Sequence, residues 1–170
     1  MSDPSSRIMP ERLVIGTSGN ASIRSIISDC TNSRRPLLPG ERYLGAYIVP
    51  DFQRALVWTL DQKVRLIESI YMGLPIGSIV WNQSVAGIET DGWLLDGQQR
   101  VTTICQWMDG EFEVRGWRFT DLPDVERRHF ERMTVPIVET SLKTRAECED
   151  VYDRLVYGGT PHAPKVIENV

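Results

Sequence analysis

The sequence is poor in the residues that most metal centres and many hydrolases use. It contains only two histidines, His129 and His162, and three widely spaced cysteines with no Cys-x-x-Cys pair. A structural zinc site therefore lacks ligands, and a Ser-His-Asp hydrolase or a histidine-dependent nuclease is hard to build. An odd number of cysteines also argues against a disulfide framework and favours a reducing compartment.

Long apolar runs and an excess of positive charge are also missing. No stretch approaches the roughly 20 apolar residues that span a bilayer, and the start, MSDPSSRIMPERLV, lacks the pattern of a secretory signal. We therefore expect a cytoplasmic protein without a membrane partner. The net charge of −4 disfavours broad, sequence-independent DNA binding, which needs a basic face.

What is present indicates one globular domain with a real core. The chain has 170 residues, of which 41% are hydrophobic, and its helical and strand-like segments alternate irregularly. This mixture predicts an α+β fold, a small mixed sheet with flanking helices. Residues 1–40 are rich in Ser, Pro, Arg and Asn and are predicted to be a loosely attached N-terminal arm, with the domain at 41–170.

Two helices have clear boundary signals. Capping-box spacing occurs twice, at Thr59 with Gln62 and at Thr144 with Glu147. Each pair is followed by apolar residues at helical spacing and then by a glycine, at position 73 or 158, that can end the helix.

Strands are predicted around 43–49, up to Trp81, before Asp96 and at TVPIVET, residues 134–140. Pro136 places the last of these at a sheet edge, because proline donates no hydrogen bond, and a hairpin is predicted around Gly116.

The strand-to-helix junction WLLDGQQRVTTI carries five consecutive groups able to bind a ligand, residues 96–100. The first turn of a helix is an anion site, and Gly97 lets a phosphate approach the backbone. Arg100 offers a two-pronged contact to phosphate, and Gln98 and Gln99 have the donors and acceptors to hold an attacking water. Asp96 is a candidate ligand for Mg²⁺. The alternative is an ordinary turn with solvated glutamines and Arg100 paired to an acid.

Other segments favour the ligand-binding interpretation. Gln53 and Arg54 form a second Gln-Arg pair just after a predicted strand, and PIGSI places backbone where it could cradle a ligand. Most of the five tryptophans are interpreted as core residues, and Trp58, close to Arg54, is the base-stacking candidate.

Four segments together carry a family resemblance. In order and spacing, VPDFQRALVW, LIESIYMGLPIGSIVW, LLDGQQRVTTI and VYDRLVYGGTP resemble the N-terminal domain of the GmrSD-type restriction endonuclease family, within the ParB/sulfiredoxin-like superfamily. The resemblance runs from about residue 43 to 161. It implies a ParB/sulfiredoxin-like α+β fold with a nucleotide pocket and, in relatives, hydrolysis of a nucleoside triphosphate that depends on the Asp-Gly-Gln-Gln-Arg motif.

The resemblance also implies roles for particular residues. The catalytic loop would comprise Asp96, Gly97, Gln98, Gln99 and Arg100, with Mg²⁺ accompanying the nucleotide. The surrounding phosphate and nucleotide contacts would come from Gln53, Arg54, Pro75, Ile76, Gly77, Thr102 and Thr103.

The sequence departs from the family pattern in two places. Val156 stands where relatives often have asparagine, which removes a polar contact. The chain ends at Val170 and has neither the length nor the histidines for the C-terminal nuclease domain of these enzymes. We therefore expect it not to cut DNA alone.

The sequence is consistent with three functions. The first is an NTPase or NTP-gated regulatory domain linked to DNA restriction and phage defence. The second is a non-catalytic, nucleotide-switched module that binds DNA or a protein, where the acidic charge favours a protein such as a nuclease subunit. The third is a stand-alone defence or counter-defence component that complements or blocks a nuclease encoded elsewhere. It would be either bacterial, or encoded by a bacteriophage and acting in the bacterial host. A homo-oligomer is an open expectation in each case.

Overall fold

The structure is a computed structural model that describes residues 16–28, 35–83 and 87–158. Its strands are β1 (Thr17–Ser22), β2 (Arg42–Leu44), β3 (Tyr47–Val49), β4 (Ile79–Asn82), β5 (Leu94–Asp96) and β6 (Thr134–Thr140). Its α-helices are α1 (Ile23–Ile26), α2 (Leu60–Tyr71), α3 (Gln98–Met108), α4 (Asp124–Arg132) and α5 (Arg145–Tyr157), with a 3-10 turn at Phe119–Asp121.

The main sheet has four strands in the order β1-β6-β4-β5, and β2 pairs with β3 separately. β4 and β6 run parallel, whereas the β1–β6 and β4–β5 pairs are antiparallel. The predicted α+β fold, a small mixed sheet with flanking helices, is therefore confirmed. The ParB/sulfiredoxin-like assignment within this class stays a prediction. In the part of the chain that the structure describes, no helix has the length and apolar character to cross a membrane.

The position predicted for the 134–140 strand is wrong. β6 is an interior strand because β1 covers it along six residues, with Asn20 opposite Pro136. The polar sequence of β1, TSGNAS, has no apolar alternation, so it gives no strand signal.

Part of the predicted arm belongs to the folded body. Besides β1, helix α1 buries Ile23 and Ile26 in the main core. Helix α1 begins after Ser22, whose side chain accepts from the Ser25 N–H. Residues 1–15 and 29–34 of the predicted arm lie outside the described residues.

Both predicted capping boxes are present, at Thr59 with Gln62 and at Thr144 with Glu147. The glycines after these helices, at 73 and 158, have left-handed φ angles of +69° and +63°. The hairpin predicted around Gly116 is reduced to a tight turn, in which residues 114 and 117 form an isolated bridge.

The sheet separates two apolar clusters because neighbouring residues of a strand point to opposite faces. Leu94 packs in the larger cluster with α2 and α3, whereas Leu95 packs in the smaller one with α5. The same alternation divides Ile79 from Val80 in β4. Strand β5 therefore ends between α3 on one face and α5 on the other, and the polar motif follows at that point.

Candidate functional site

The site begins where β5 ends at Asp96 and α3 begins at Gln98. Gly97 has a φ of +103°, which favours glycine, and a Cβ there would lie 3.1 Å from Cγ1 of Ile79. The first backbone bond of the helix runs from the Val101 N–H to the Gly97 carbonyl, at 2.9 Å. The three N–H groups before Val101 therefore lack an acceptor within the helix and form the positive end of its dipole.

Arg100 is largely enclosed, and its terminal nitrogens are occupied. Nη1 donates to the Ile76 carbonyl at 3.1 Å, and Nη2 donates to the Ser78 carbonyl at 2.9 Å. Nη2 also pairs with Asp96 Oδ2 at 2.7 Å, and only 16% of the Arg100 side chain is exposed. A Cβ on Gly77 would lie 2.6 Å from Nη1 and would displace the guanidinium. Arg100 therefore ties the end of β5 to the segment before β4.

Gln99 holds the loop of residues 55–58 against the start of α3. Its Oε1 accepts from the N–H groups of Val57 at 3.3 Å and Trp58 at 3.4 Å. Its Nε2 donates to the Ala55 carbonyl at 3.3 Å. Both ends of this amide are therefore used to fix the loop.

Gln98 lies between the two Gln-Arg pairs. With its amide oriented to suit its neighbours, its nitrogen donates to the Arg54 carbonyl at 3.1 Å and to Gln53 Oε1 at 2.9 Å. Its oxygen accepts from Arg42 Nη2 at 2.7 Å. Gln53 in turn donates from Nε2 to the Leu94 carbonyl. This chain of amides joins β2, β5 and the segment after β3.

Arg54 differs from Arg100 in that its guanidinium is exposed. Its backbone N–H donates to the Tyr152 hydroxyl at 3.1 Å, which anchors the main chain on α5. Within the described residues, the Arg54 side chain forms neither an ion pair nor a hydrogen bond. The Arg54 backbone is thus anchored beside α5, and no described residue competes with an anion for its guanidinium.

These residues surround a cavity of about 170 Å³. Both Gln-Arg pairs line it, together with the junction and one residue pair from α5: Gln53, Arg54, Trp58, Leu95, Asp96, Gly97, Gln98, Gln99, Arg100, Tyr152 and Val156. An adjoining, more open cavity of about 310 Å³ shares Gln53, Arg54 and Gln98 and adds Arg42. The two cavities therefore meet at the residues that join the pairs.

Five of the residues predicted to contact a nucleotide do not line either cavity: Pro75, Ile76, Gly77, Thr102 and Thr103. Ile76 and Gly77 contact Arg100 instead, and Pro75 is exposed beside them. Thr102 and Thr103 are buried on α3, where the Thr103 hydroxyl donates to the Gln99 carbonyl at 2.8 Å. Their positions indicate support of the junction rather than direct contact with a ligand in the cavity.

A comparison with protein families identifies the family of this domain. The family described as GmrSD restriction endonuclease, N-terminal domain, matches residues 35–166. The chain belongs to this family. This match confirms the family predicted from the four sequence segments. Membership of the family associates the domain with restriction and phage defence. No curated protein and no solved structure matches the chain.

Two residues of this candidate site were not identified from the sequence. Arg42 lies on β2 and reaches Gln98, and partial burial lowers the pKa of its guanidinium. Tyr152 faces the cavity from α5, and burial raises the pKa of its hydroxyl. The helical repeat of Cys148, Val151 and Tyr152 marks an inward face, but only the fold shows that this face meets Arg54.

The site offers a divalent cation one carboxylate. Asp96 lines the smaller cavity with a side chain that is 37% exposed, and Arg100 contacts only its Oδ2. Asp51 lines the larger cavity but pairs with Arg145 at 2.7 Å. Among residues 16–28, 35–83 and 87–158, no cluster of three or more His, Cys, Asp or Glu could hold a metal by itself. This donor set fits Mg²⁺ only when phosphate oxygens supply further ligands.

Proposed function

We propose that this GmrSD-family domain binds a nucleoside triphosphate in the two joined cavities at the start of α3. The proposal rests on one observation. Arg42 and Arg54 both line the larger cavity, and no carboxylate among the described residues pairs with either one. Arg42 is partly desolvated without a carboxylate partner, which is costly, and a polyanion bound by Arg42 and Arg54 would offset that cost.

The chemistry of the walls suggests how the ligand would lie. The phosphates would contact Arg42, Arg54 and the N–H groups of the first turn of α3 that have no acceptor within the helix. The base would enter the smaller cavity, where Trp58 and Tyr152 supply aromatic surface. Asp96 would hold a nucleotide-borne Mg²⁺, which would neutralise charge on the phosphate oxygens.

Hydrolysis requires a group that positions water, and Gln98 is the better placed of the two glutamines. Gln99 is fully used to hold the 55–58 loop, whereas Gln98 Oε1 accepts only from Arg42. A phosphate that takes Arg42 would release that oxygen to orient water for in-line attack. Arg100 would act by fixing Asp96 and the backbone, because both of its terminal nitrogens, Nη1 and Nη2, already donate to groups of the protein.

A nucleotide-switched binding module is the second candidate, and one feature favours it. The loop held by Gln99 exposes Leu56 and Val57, by 45% and 63%, beside the cavity. A ligand that moves Gln99 or Trp58 would change how these apolar side chains are presented to a protein partner. NTP-dependent association without turnover would support this alternative over an NTPase.

The test is a thermal-shift screen of ATP, GTP, CTP and UTP with Mg²⁺. At about 100 times Kd, a ligand should stabilise the protein by roughly 2.7 kcal/mol, or about 5 to 10 °C for this size. Arg54→Ala and Arg42→Ala should each reduce the shift in Tm. The control is Arg132→Ala, which removes the same charge from α4, lines neither cavity and should leave the shift unchanged. No shift with any of the four nucleotides would refute the proposal.

A further inference from the structure

A carboxylate lies in the same cavity as the two arginines that would bind phosphate. Asp51, Arg42 and Arg54 all line the larger cavity, of about 310 Å³. Among the described residues the carboxylate pairs with neither of these arginines, and its Oδ1 accepts instead from Nη2 of Arg145, at 2.7 Å. An ionised carboxylate can only accept hydrogen bonds, so it repels phosphate but binds a hydroxyl. Asp51 therefore cannot share the role of the two arginines.

The β2–β3 hairpin places Asp51 beside Arg42. Arg42 is opposite Val49 in the hairpin, so Gly40 comes opposite Asp51 two positions further along. A Cβ on Gly40 would lie only 2.8 Å from Cβ of Asp51, and the φ of +83° at Gly40 also favours glycine. Asp51 and Arg42 are therefore neighbours at the open end of the hairpin, on the wall of one cavity.

Arg145 sets the orientation of the Asp51 carboxylate. The Arg145 guanidinium lies 5.4 Å from the centre of the Phe52 ring and 5.9 Å from the centre of a Trp93 ring, and it pairs with Glu149 at 2.7 Å. These contacts fix the guanidinium, and the carboxylate bound to it is fixed in turn. Oδ2 of Asp51 has no hydrogen bond among the described residues, and 39% of the side chain is exposed. An oriented acceptor is thus accessible from the cavity.

The polar groups of the larger cavity match a ligand that carries a phosphate and a hydroxyl close together. Arg42 and Arg54 would bind the phosphate, and the remaining oxygen of Asp51 would accept from the hydroxyl. A nucleotide has this arrangement in its ribose, whose hydroxyls lie a few bonds from the 5′-phosphate. An acidic side chain binds a ribose hydroxyl in the same way in dinucleotide-binding folds. Ribose is therefore the part of a nucleotide that suits Asp51.

We propose that Asp51 recognises the ribose of the bound nucleotide by accepting a hydrogen bond from its 2′- or 3′-hydroxyl. This inference rests on the proposed nucleotide site. With the base in the smaller cavity and the phosphates on Arg42 and Arg54, the ribose would lie where the two cavities meet. Arg145 is a positioning residue, because it holds the carboxylate away from the two arginines and leaves them to the phosphates.

The experiment measures nucleotide affinity by isothermal titration of the whole chain in the presence of Mg²⁺. The ligands are ATP, GTP, CTP and UTP and the 2′-deoxy and 3′-deoxy forms of each. For the nucleotide that binds most tightly, one of the deoxy forms should bind the parent protein about tenfold more weakly, the value of one hydrogen bond to a charged group. Asp51→Ala should bind the ribose and deoxy forms equally. It should bind the deoxy form at least as tightly as the parent protein does, because it removes a negative charge beside the phosphates.

Two further variants control for charge and for folding. Glu149 also pairs with Arg145 but lines neither cavity, so Glu149→Ala should keep the preference for ribose. Asp51→Asn keeps the shape of the side chain and one acceptor oxygen. It should therefore retain a smaller preference than the parent protein, and it replaces Asp51→Ala if alanine impairs folding.

The results separate this inference from the nucleotide site on which it rests. If the ribose and both deoxy forms bind the parent protein equally, Asp51 does not recognise ribose, although the nucleotide site remains. Equal weakening of the ribose and deoxy forms by Asp51→Ala would indicate that the carboxylate holds Mg²⁺, and it would overturn the proposal. Loss of the preference in Glu149→Ala would also overturn it, since the effect would then come from the charges around Arg145. No binding of any nucleotide would refute the proposed function and this inference together.

Discussion

Replacing Arg100 by alanine should destabilise the fold around the candidate site even when no ligand is bound. The guanidinium makes three hydrogen bonds, at 2.7, 2.9 and 3.1 Å, to one carboxylate and two backbone carbonyls. Alanine would leave Asp96 without its partner and the carbonyls of Ile76 and Ser78 without a donor. Arg54→Ala removes the same charge from an exposed side chain that has no partner among the described residues.

Arg100→Ala and Arg54→Ala should differ in how much they lower the free energy of unfolding. Breaking a buried ion pair costs about 3 to 5 kcal/mol, but Asp96 is 37% exposed and water can solvate it in part. We therefore expect Arg100→Ala to lower the free energy of unfolding by about 2 to 3 kcal/mol, or Tm by about 5 to 10 °C. Arg54→Ala should stay within about 0.5 kcal/mol of the parent protein.

Urea unfolding followed by tryptophan fluorescence measures both values. Arg100→Lys should fall between parent and alanine, because an ammonium can pair with Asp96 but cannot reach both carbonyls in the same geometry. Equal midpoints for Arg100→Ala and Arg54→Ala would refute the structural role of Arg100. A fully stable Arg100→Ala protein that fails to bind nucleotide would restore it as a direct ligand.

Three further predictions concern neighbouring parts of the fold. Gly97→Ala should destabilise the protein by about 1 to 3 kcal/mol in urea unfolding, because φ is +103° and the added Cβ would crowd Ile79. Gln99→Ala should release residues 55–58, which hydrogen exchange would detect as faster exchange at these amides with little change in α5. Burial alone would raise the pKa of Glu41, but hydrogen bonds from the Arg35 guanidinium, the Leu38 N–H and Trp93 Nε1 hold that pKa below its usual value. Its stabilisation is therefore full above about pH 4.5 and is lost as the pH falls through the folded pKa, so the difference in unfolding free energy between parent and Glu41→Gln should shrink in acid.

Local signals in the sequence were sufficient for several parts of the structure. The two capping boxes predict the starts of α2 and α5 because their hydrogen bonds join residues three apart. The Asp-Gly junction predicts the end of β5 and the start of α3 because glycine readily adopts the left-handed backbone conformation that Gly97 has between them. The two Gln-Arg pairs were predicted to face one ligand, and they do line one cavity.

Features that depend on distant pairing were not predictable in this way. β1 is a strand only because β6 offers it a partner about 117 residues later, and its own residues carry no apolar pattern. Arg42 reaches the site through the hairpin of β2 and β3. The internal hydrogen bonds of Gln99 and Arg100 also depend on the 55–58 loop and the 76–78 segment, so a motif alone does not show which of its side chains are free.

Isothermal titration of the Mg²⁺ complex of the best of the four nucleotides tests the central claim most directly. The parent protein and Arg132→Ala should bind with equal affinity, whereas the Arg42→Ala/Arg54→Ala double variant should remain folded and lose measurable binding. Unchanged affinity in the folded double variant would contradict the claim that these two guanidiniums hold a polyanion at the start of α3.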